Sequence, residues 1–212
     1  MANVTKWSNV AISMQSEIAT AVNITAITKA SQGVVTATNT YANGDYVLLT
    51  IQGMRQLNNK VARVSAVSGT GFTLEGIDTT EFDTFSTGTA KKITFGTTLG
   101  TVLGLTSSGG DFDFIDTTTI HDNQRTQIPG LPSPLTYTLD NIWDVSDAGL
   151  VAMKAASDAQ SQRAFLITFA NATKAVFSGY VGASLAPGGS AQDKVTTPAT
   201  ITAHGSPTYY TS

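Results

Sequence analysis

The chain has 212 residues, no cysteine, and a charged fraction of 13% beside 41% hydrophobic residues. That excludes disulfides, thiol chemistry and Cys-ligated metals, while a formal net charge of -3 without a basic stripe excludes a phosphate-gripping surface. The opening MANVTKWSNVAISMQSE lacks a basic start followed by an apolar run, and no window holds the roughly 20 apolar residues of a bilayer span, which predicts folding in a cytoplasm without membrane insertion.

Charge is also unevenly placed. Residues 23–95 carry six bases and five acids, whereas residues 96–212 carry five bases and nine acids. Threonine, alanine, serine and glycine fill the space that charges leave, giving a surface suited to close packing against copies of itself.

In chain order, KWSNVAISMQS alternates, with Val10, Ile12 and Met14 on one side of a strand. ITAITKA (24–30) and VVTATNT (34–40) flank a Ser-Gln-Gly turn and predict a hairpin. Asn43-Gly44 then suits a turn with positive φ at both central residues. KVARVSAV (60–67), an SGTG turn and FTLEGI (72–77) add two more strands. Together they predict a small β-barrel inserted over residues 23–94, interrupting a domain built from residues 1–22 and 95–212.

The later stretch begins with KKITFGTTLGTVLGLTSSGG, strand-like and loose with glycine. DFDFIDTTTIHD follows, where a strand would put Phe112 and Phe114 in the core with Asp111 and Asp113 outside. The three prolines of NQRTQIPGLPSP predict an irregular loop from Thr117 to Pro134. In LTYTLDNIWDV, Leu135, Tyr137 and Leu139 share a face. VSDAGLVAMKAASDAQSQ then predicts the one short helix, with Ser146 as N-cap, acids in its first turn and Gly149 as a weak point. RAFLITF and KAVFSGYVGASL form a hairpin around Asn-Ala-Thr, VTTPATITA is a last strand, and HGSPTYYTS reads as an arm. The fold class is mainly β, a sandwich or barrel with one short α-helix.

Chemistry finds little purchase. Asp-Phe-Asp lacks the D-x-[DN]-x-[DN]-G frame of a calcium loop. Two carboxylates on one exposed face share an environment, whereas acid/base hydrolysis needs two different ones. His121 and His204 are the sole histidines, no G-x-S-x-G elbow exists, and without cysteine they do not complete a zinc set. SSGG and PGGS have no lysine in Walker position. Trp7 and Trp143 are isolated and read as core or interface anchors. No catalytic, cofactor or metal site is predicted, and the chain reads as no enzyme.

FIDTTTIHDNQRTQIPGL, a short capped helix, RAFLITFANATKAVFSGYV and VTTPATITAHGSP, in that order, resemble the major tail tube proteins of long non-contractile-tailed (siphovirus-type) phages. Asp116, Thr118, Asp122, Arg125, Pro129 and Gly130 match the first part of that pattern. Phe169, Phe177 and Gly179 match the hairpin, and Gly205 with Pro207 the ending. The resemblance implies a structural virion protein assembled in the host cytoplasm as stacked rings, usually hexameric in the family. Each subunit would lend strands to an inner β-barrel around a tape-measure protein. Tail terminator and tail-tip proteins would cap the tube, and double-stranded DNA would pass its lumen without specific binding. The Thr117–Pro134 loop would touch the next ring, making Asp116, Thr118, His121, Asp122, Arg125, Pro129 and Gly130 the contact candidates. The inserted stretch looks like a β module grafted into phage tail proteins, and many family members lack it. Two other readings stand beside this one. A secretion-machine tube protein shares the fold, and a receptor- or carbohydrate-recognising virion module would show clustered exposed aromatics, of which only Tyr209 and Tyr210 are adjacent.

Overall fold

A computed structural model describes residues 7–211. Lys6, which opens the alternating N-terminal stretch, and Ser212, which ends the tail, lie outside the described residues. Among the described residues the chain is mainly β with one α-helix. The strands are β1 (Ala11–Met14), β2 (Glu17–Ile18), β3 (Val22–Ile24), β4 (Ala26–Ile27), β5 (Val34–Thr36), β6 (Tyr46–Gln52), β7 (Val61–Ser68), β8 (Gly71–Leu74) and β9 (Thr87–Thr94). Then come β10 (Thr97–Thr98), β11 (Val102–Ser108), β12 (Phe112–Asp116), β13 (Gln127–Pro132), β14 (Thr136–Ile142), helix α1 (Ala148–Asp158), β15 (Gln162–Thr168), β16 (Lys174–Ala183), β17 (Thr196–Ala203) and β18 (Thr208–Tyr210).

These make two antiparallel sheets and a separate ribbon. The first sheet runs β10-β1-β15-β16-β17-β14-β11, with β18 also beside β16. The second runs β2-β9-β6-β7-β8-β5-β4, with β3 also on β9. β12 and β13 pair only with each other.

Alternation in sequence becomes two-sided burial in the first sheet. Ile12, Met14, Tyr137, Leu139, Phe165, Ile167, Phe177 and Ile201 point to one core, closed by Leu150, Met153 and Ala156 of α1. Within it the Phe177 ring stacks on Tyr137 at 4.6 Å and on Phe165 at 5.6 Å. The intervening residues Ala164 and Val176 turn to the opposite face, against Tyr46, Val61 and Ile93 of the second sheet. The second sheet wraps its own core of Val35, Leu49, Met54, Leu57, Phe72 and Leu74.

Several local expectations change. The N-cap is Asp147, whose Oδ1 accepts from Leu150 N at 2.8 Å. Ser146 is instead tied to Asp144, whose Oδ1 accepts from its N–H and hydroxyl at 2.9 and 2.6 Å. No acid lies in the first turn proper. At the Asn43-Gly44 turn only Gly44 has positive φ, at +90°. Asn43 Oδ1 accepts from Val67 N at 2.9 Å and holds the turn from outside. Gly149 is a close-approach position: an added Cβ would lie 2.7 Å from Thr98 O and 3.0 Å from Leu99. The C-terminal tail is no free arm, for β18 pairs with Lys174, Ala175 and Val176 of β16.

Two measurements test this packing. Gly149→Ala improves helix propensity by about 1 kcal/mol, yet overpacking against a backbone oxygen costs roughly 1–3 kcal/mol. A net loss in chemical denaturation is therefore expected, and a gain would refute the close approach. Burial pushes the phenols of Tyr137 and Tyr210 up to about 12, with Tyr209 adding to the rise at Tyr137. A raised folded value favours the neutral phenol, so this stability is complete below about pH 10 and drains away toward 12. Thermal scans across that window should fall more steeply than those of the Tyr210→Phe variant.

Candidate functional site

The β12–β13 ribbon gathers all seven contact candidates into one feature. Asp116 ends β12 opposite Gln127, and Pro129 sits in β13 opposite Phe114. The connection between the strands is closed by its own side chains. Asp116 Oδ1 accepts from Thr118 N at 2.8 Å, and Asp122 Oδ2 accepts from Thr119 N and Oγ1 at 2.7 and 2.9 Å. Thr118 Oγ1 accepts from Thr126 N at 3.1 Å, and Thr117 N donates across to Thr126 O at 2.9 Å. His121 joins through its backbone, its N–H reaching Thr119 Oγ1 at 3.4 Å. Arg125 Nε stands 4.0 Å from Asp116 Oδ2, a loose, exposed ion pair worth little by itself. Gly130 belongs to the ribbon's middle, where a Cβ would lie 2.8 Å from Asp113 O.

The tip is therefore a set of Asx-type turns, built by short polar side chains that bond the backbone two or three residues away. These bonds favour the ionised acids. The hydroxyl and N–H of Thr118 hold the Asp116 carboxyl below the usual aspartate range, and the N–H and hydroxyl of Thr119 do the same for Asp122.

The prolines do not abolish regular structure. Pro129 and Pro132 lie within β13, which pairs with β12 through a register shift between Phe112 and Phe114. Thr117 N points into the ladder at Thr126 O. Counting alternate residues from there leaves the Pro129 nitrogen on the outer edge, where no donor is required.

The phenylalanines also differ from expectation. Phe112 and Phe114 are exposed, Phe114 at 63%, because none of the described residues covers that face of the ribbon. Ile115 and Ile128 are exposed on the opposite face, with Leu131 at 85% and tip residue Ile120 at 95%. Sequence reasoning missed these apolar residues as surface. The clue was Phe114-Ile115, two neighbouring large apolar residues that break the one-sided alternation of a half-buried strand.

Among the described residues, no three His, Asp or Glu side chains converge as metal ligands. An apolar groove of about 290 Å³, lined by Trp7, Val10, Ile12, Leu99, Val102 and Leu105, lies by the β10 and β11 edges of the first sheet and contains no charged side chain. Trp7 stacks on Phe169 at 5.8 Å, and Trp143 Nε1 donates to Leu185 O at 2.9 Å. Among the described residues no helix is long and apolar enough to cross a membrane.

A β-rich subunit whose most exposed apolar surface is a projecting, pre-ordered ribbon has the form of a building block. The sequence pattern of the family described as phage tail tube protein, TTP, matches residues 52–212, and the chain belongs to that family. The match starts in β6, so it takes in β7 to β9 of the second sheet as well as all of the first sheet after β1. No curated protein matches the chain. Family membership makes it a structural component of the phage tail that assembles with itself into a tube.

The tip supplies a pH test. Because the folded values of Asp116 and Asp122 are depressed, their ordering is present at neutral pH and lost as pH falls through those values. In an NMR titration the Thr118 and Thr119 amides should shift with midpoints below about 3.9, the ordinary aspartate value; midpoints at or above it would contradict the capped tip.

Proposed function

We propose that the chain polymerises as stacked hexameric rings forming the tail tube of a siphovirus-type phage, the conduit through which DNA reaches the host. The observation that carries this reading, beyond family membership, is the two-faced apolar ribbon. An isolated two-stranded hairpin is marginal in water, and one with exposed Phe114 on one face and Ile115 with Ile128 on the other leaves apolar surface wet on both sides. Neighbouring copies covering both faces resolve that. The ribbon thus supplies the contact to the next ring, with Asp116, Thr118, His121, Asp122 and Arg125 at its tip, Pro129 restricting its stem and Gly130 allowing the close approach of Asp113 O.

The remaining parts follow the same reading. Residues 96–212 carry the acidic excess, so a lumen lined from this section would repel phosphates and let DNA slide without specific binding. The tape-measure protein fills the lumen during assembly, while terminator and tip proteins close the ends, and assembly takes place in the host cytoplasm. The inserted β domain expected over residues 23–94, which the second sheet extends back to Glu17 through β2 and β3, interrupts the tube domain of the remaining residues and decorates the outer wall. The low charge and absent catalytic constellation fit a non-enzymatic role.

Negative-stain electron microscopy of the purified protein should reveal six-fold rings and hollow tubes. Phe114→Ser combined with Ile115→Ser should leave folded monomers or single rings that no longer stack, since the ribbon carries neither face of the core. Unchanged tubes from that variant would remove the ribbon from the ring contact, and a particle that never assembles would sink the whole reading.

A further inference from the structure

The two sheets meet on β15 and β16, and the last residues of the chain close that joint. β18 continues along the side of β16 that β17 occupies, after a bend at His204–Pro207 where Gly205 takes φ +75°. Only Lys174, Ala175 and Val176 hold it by backbone pairing. The rest of its attachment comes from the second sheet. Tyr210 is 3% exposed, and its hydroxyl accepts from Arg63 N of β7 at 2.8 Å. The Arg63 guanidinium lies over the Tyr210 ring, 4.6 Å from its centre. Glu75 fixes that guanidinium, its Oε2 accepting from Arg63 Nε at 2.6 Å, and a second Arg63 nitrogen reaches Thr211 O at 3.4 Å. The Tyr210 ring also meets Tyr46 edge-on at 6.3 Å. Below the bend, Lys60 Nζ donates to Ser206 O at 3.4 Å, and Ser178 Oγ donates to Asn59 O at 2.6 Å.

We propose that Thr208–Thr211 form a clasp that locks the second sheet against β15 and β16, so that the two sheets behave as one body only while it is docked. Covalently the sheets are joined at two places, the Gln15–Ser16 and Phe95–Gly96 connections. Both joints lie close together, since Gly96 N donates to Ser16 Oγ at 3.0 Å. Two neighbouring joints make a hinge, and a hinge needs a third fixed point to become rigid. The clasp supplies that point, and without it, among the described residues, only the Ser178–Asn59 and Lys60–Ser206 bonds are left beside the apolar contact. Its backbone attachment is three residues long, its side-chain attachment runs from Tyr210 to Arg63 and Tyr46, and its release would uncover the part of the Tyr46, Val61, Ile93 and Val176 cluster that Tyr210 covers.

The test uses the full chain beside one ending at Pro207, with Tyr180→Phe as a control at an exposed tyrosine. Calorimetry of the intact protein and control should give one endotherm. The truncated chain should give two, and limited proteolysis should cut the 15–16 and 95–96 connections about tenfold faster, the effect of losing a bond or two from a local opening. A single endotherm with unchanged cleavage would overturn the clasp. Should the truncated chain fail to fold, Tyr210→Ser in the full-length chain carries the test: the same two changes support the proposal, and an unaltered scan with unaltered cleavage defeats it.

Discussion

Strand β16 is buried on both sides, and the rest of the molecule is arranged around that fact. Its residues from Ala175 to Gly179 are buried in succession, because alternate side chains serve two different cores. Phe177 anchors the aromatic stack beneath α1, while Val176 faces the second sheet. A central strand of this kind cannot shift register by one residue without exchanging the contents of both cores. It therefore fixes where the helix, the second sheet and β18 sit.

The ribbon obeys the opposite rule. It has strand pairing and an internally bonded tip, yet no core of its own, so its order comes from short-range polar bonds around Asp116 and Asp122. Such a feature is pre-shaped for contact without being stabilised by it. The low charge of the chain has the same sense, since few solvated side chains must be stripped when copies approach.

How far the sequence revealed this depends on whether the burial pattern is written within the chain. β1 and β14 were readable because each has one apolar face turned to an internal core, which imposes a period of two. The helix was readable as the one alanine-rich capped stretch, but its buried face is Gly149, Leu150, Met153 and Ala156, and its cap shifted one residue because Ser146 is occupied by Asp144. The candidate residues of the tip were legible as a cluster, since Asp and Thr at short spacings make local turns. The exposure of Phe112 and Phe114 was not legible, because what decides it is the absence of a covering element far away in sequence. The docking of β18 was hidden for the same reason: the partner of Tyr210 is Arg63, on another sheet.

Pro129 and Pro132 carry one more consequence. A protein built to polymerise must do so in a single manner, and a bare two-stranded ribbon with apolar residues is otherwise a template for uncontrolled strand addition. With a ring nitrogen facing outward in β13, the backbone offers an incoming strand no complete row of donors. Along that edge recruitment is left to side chains, which are selective about shape, and the hazard of fibrous growth is lowered there.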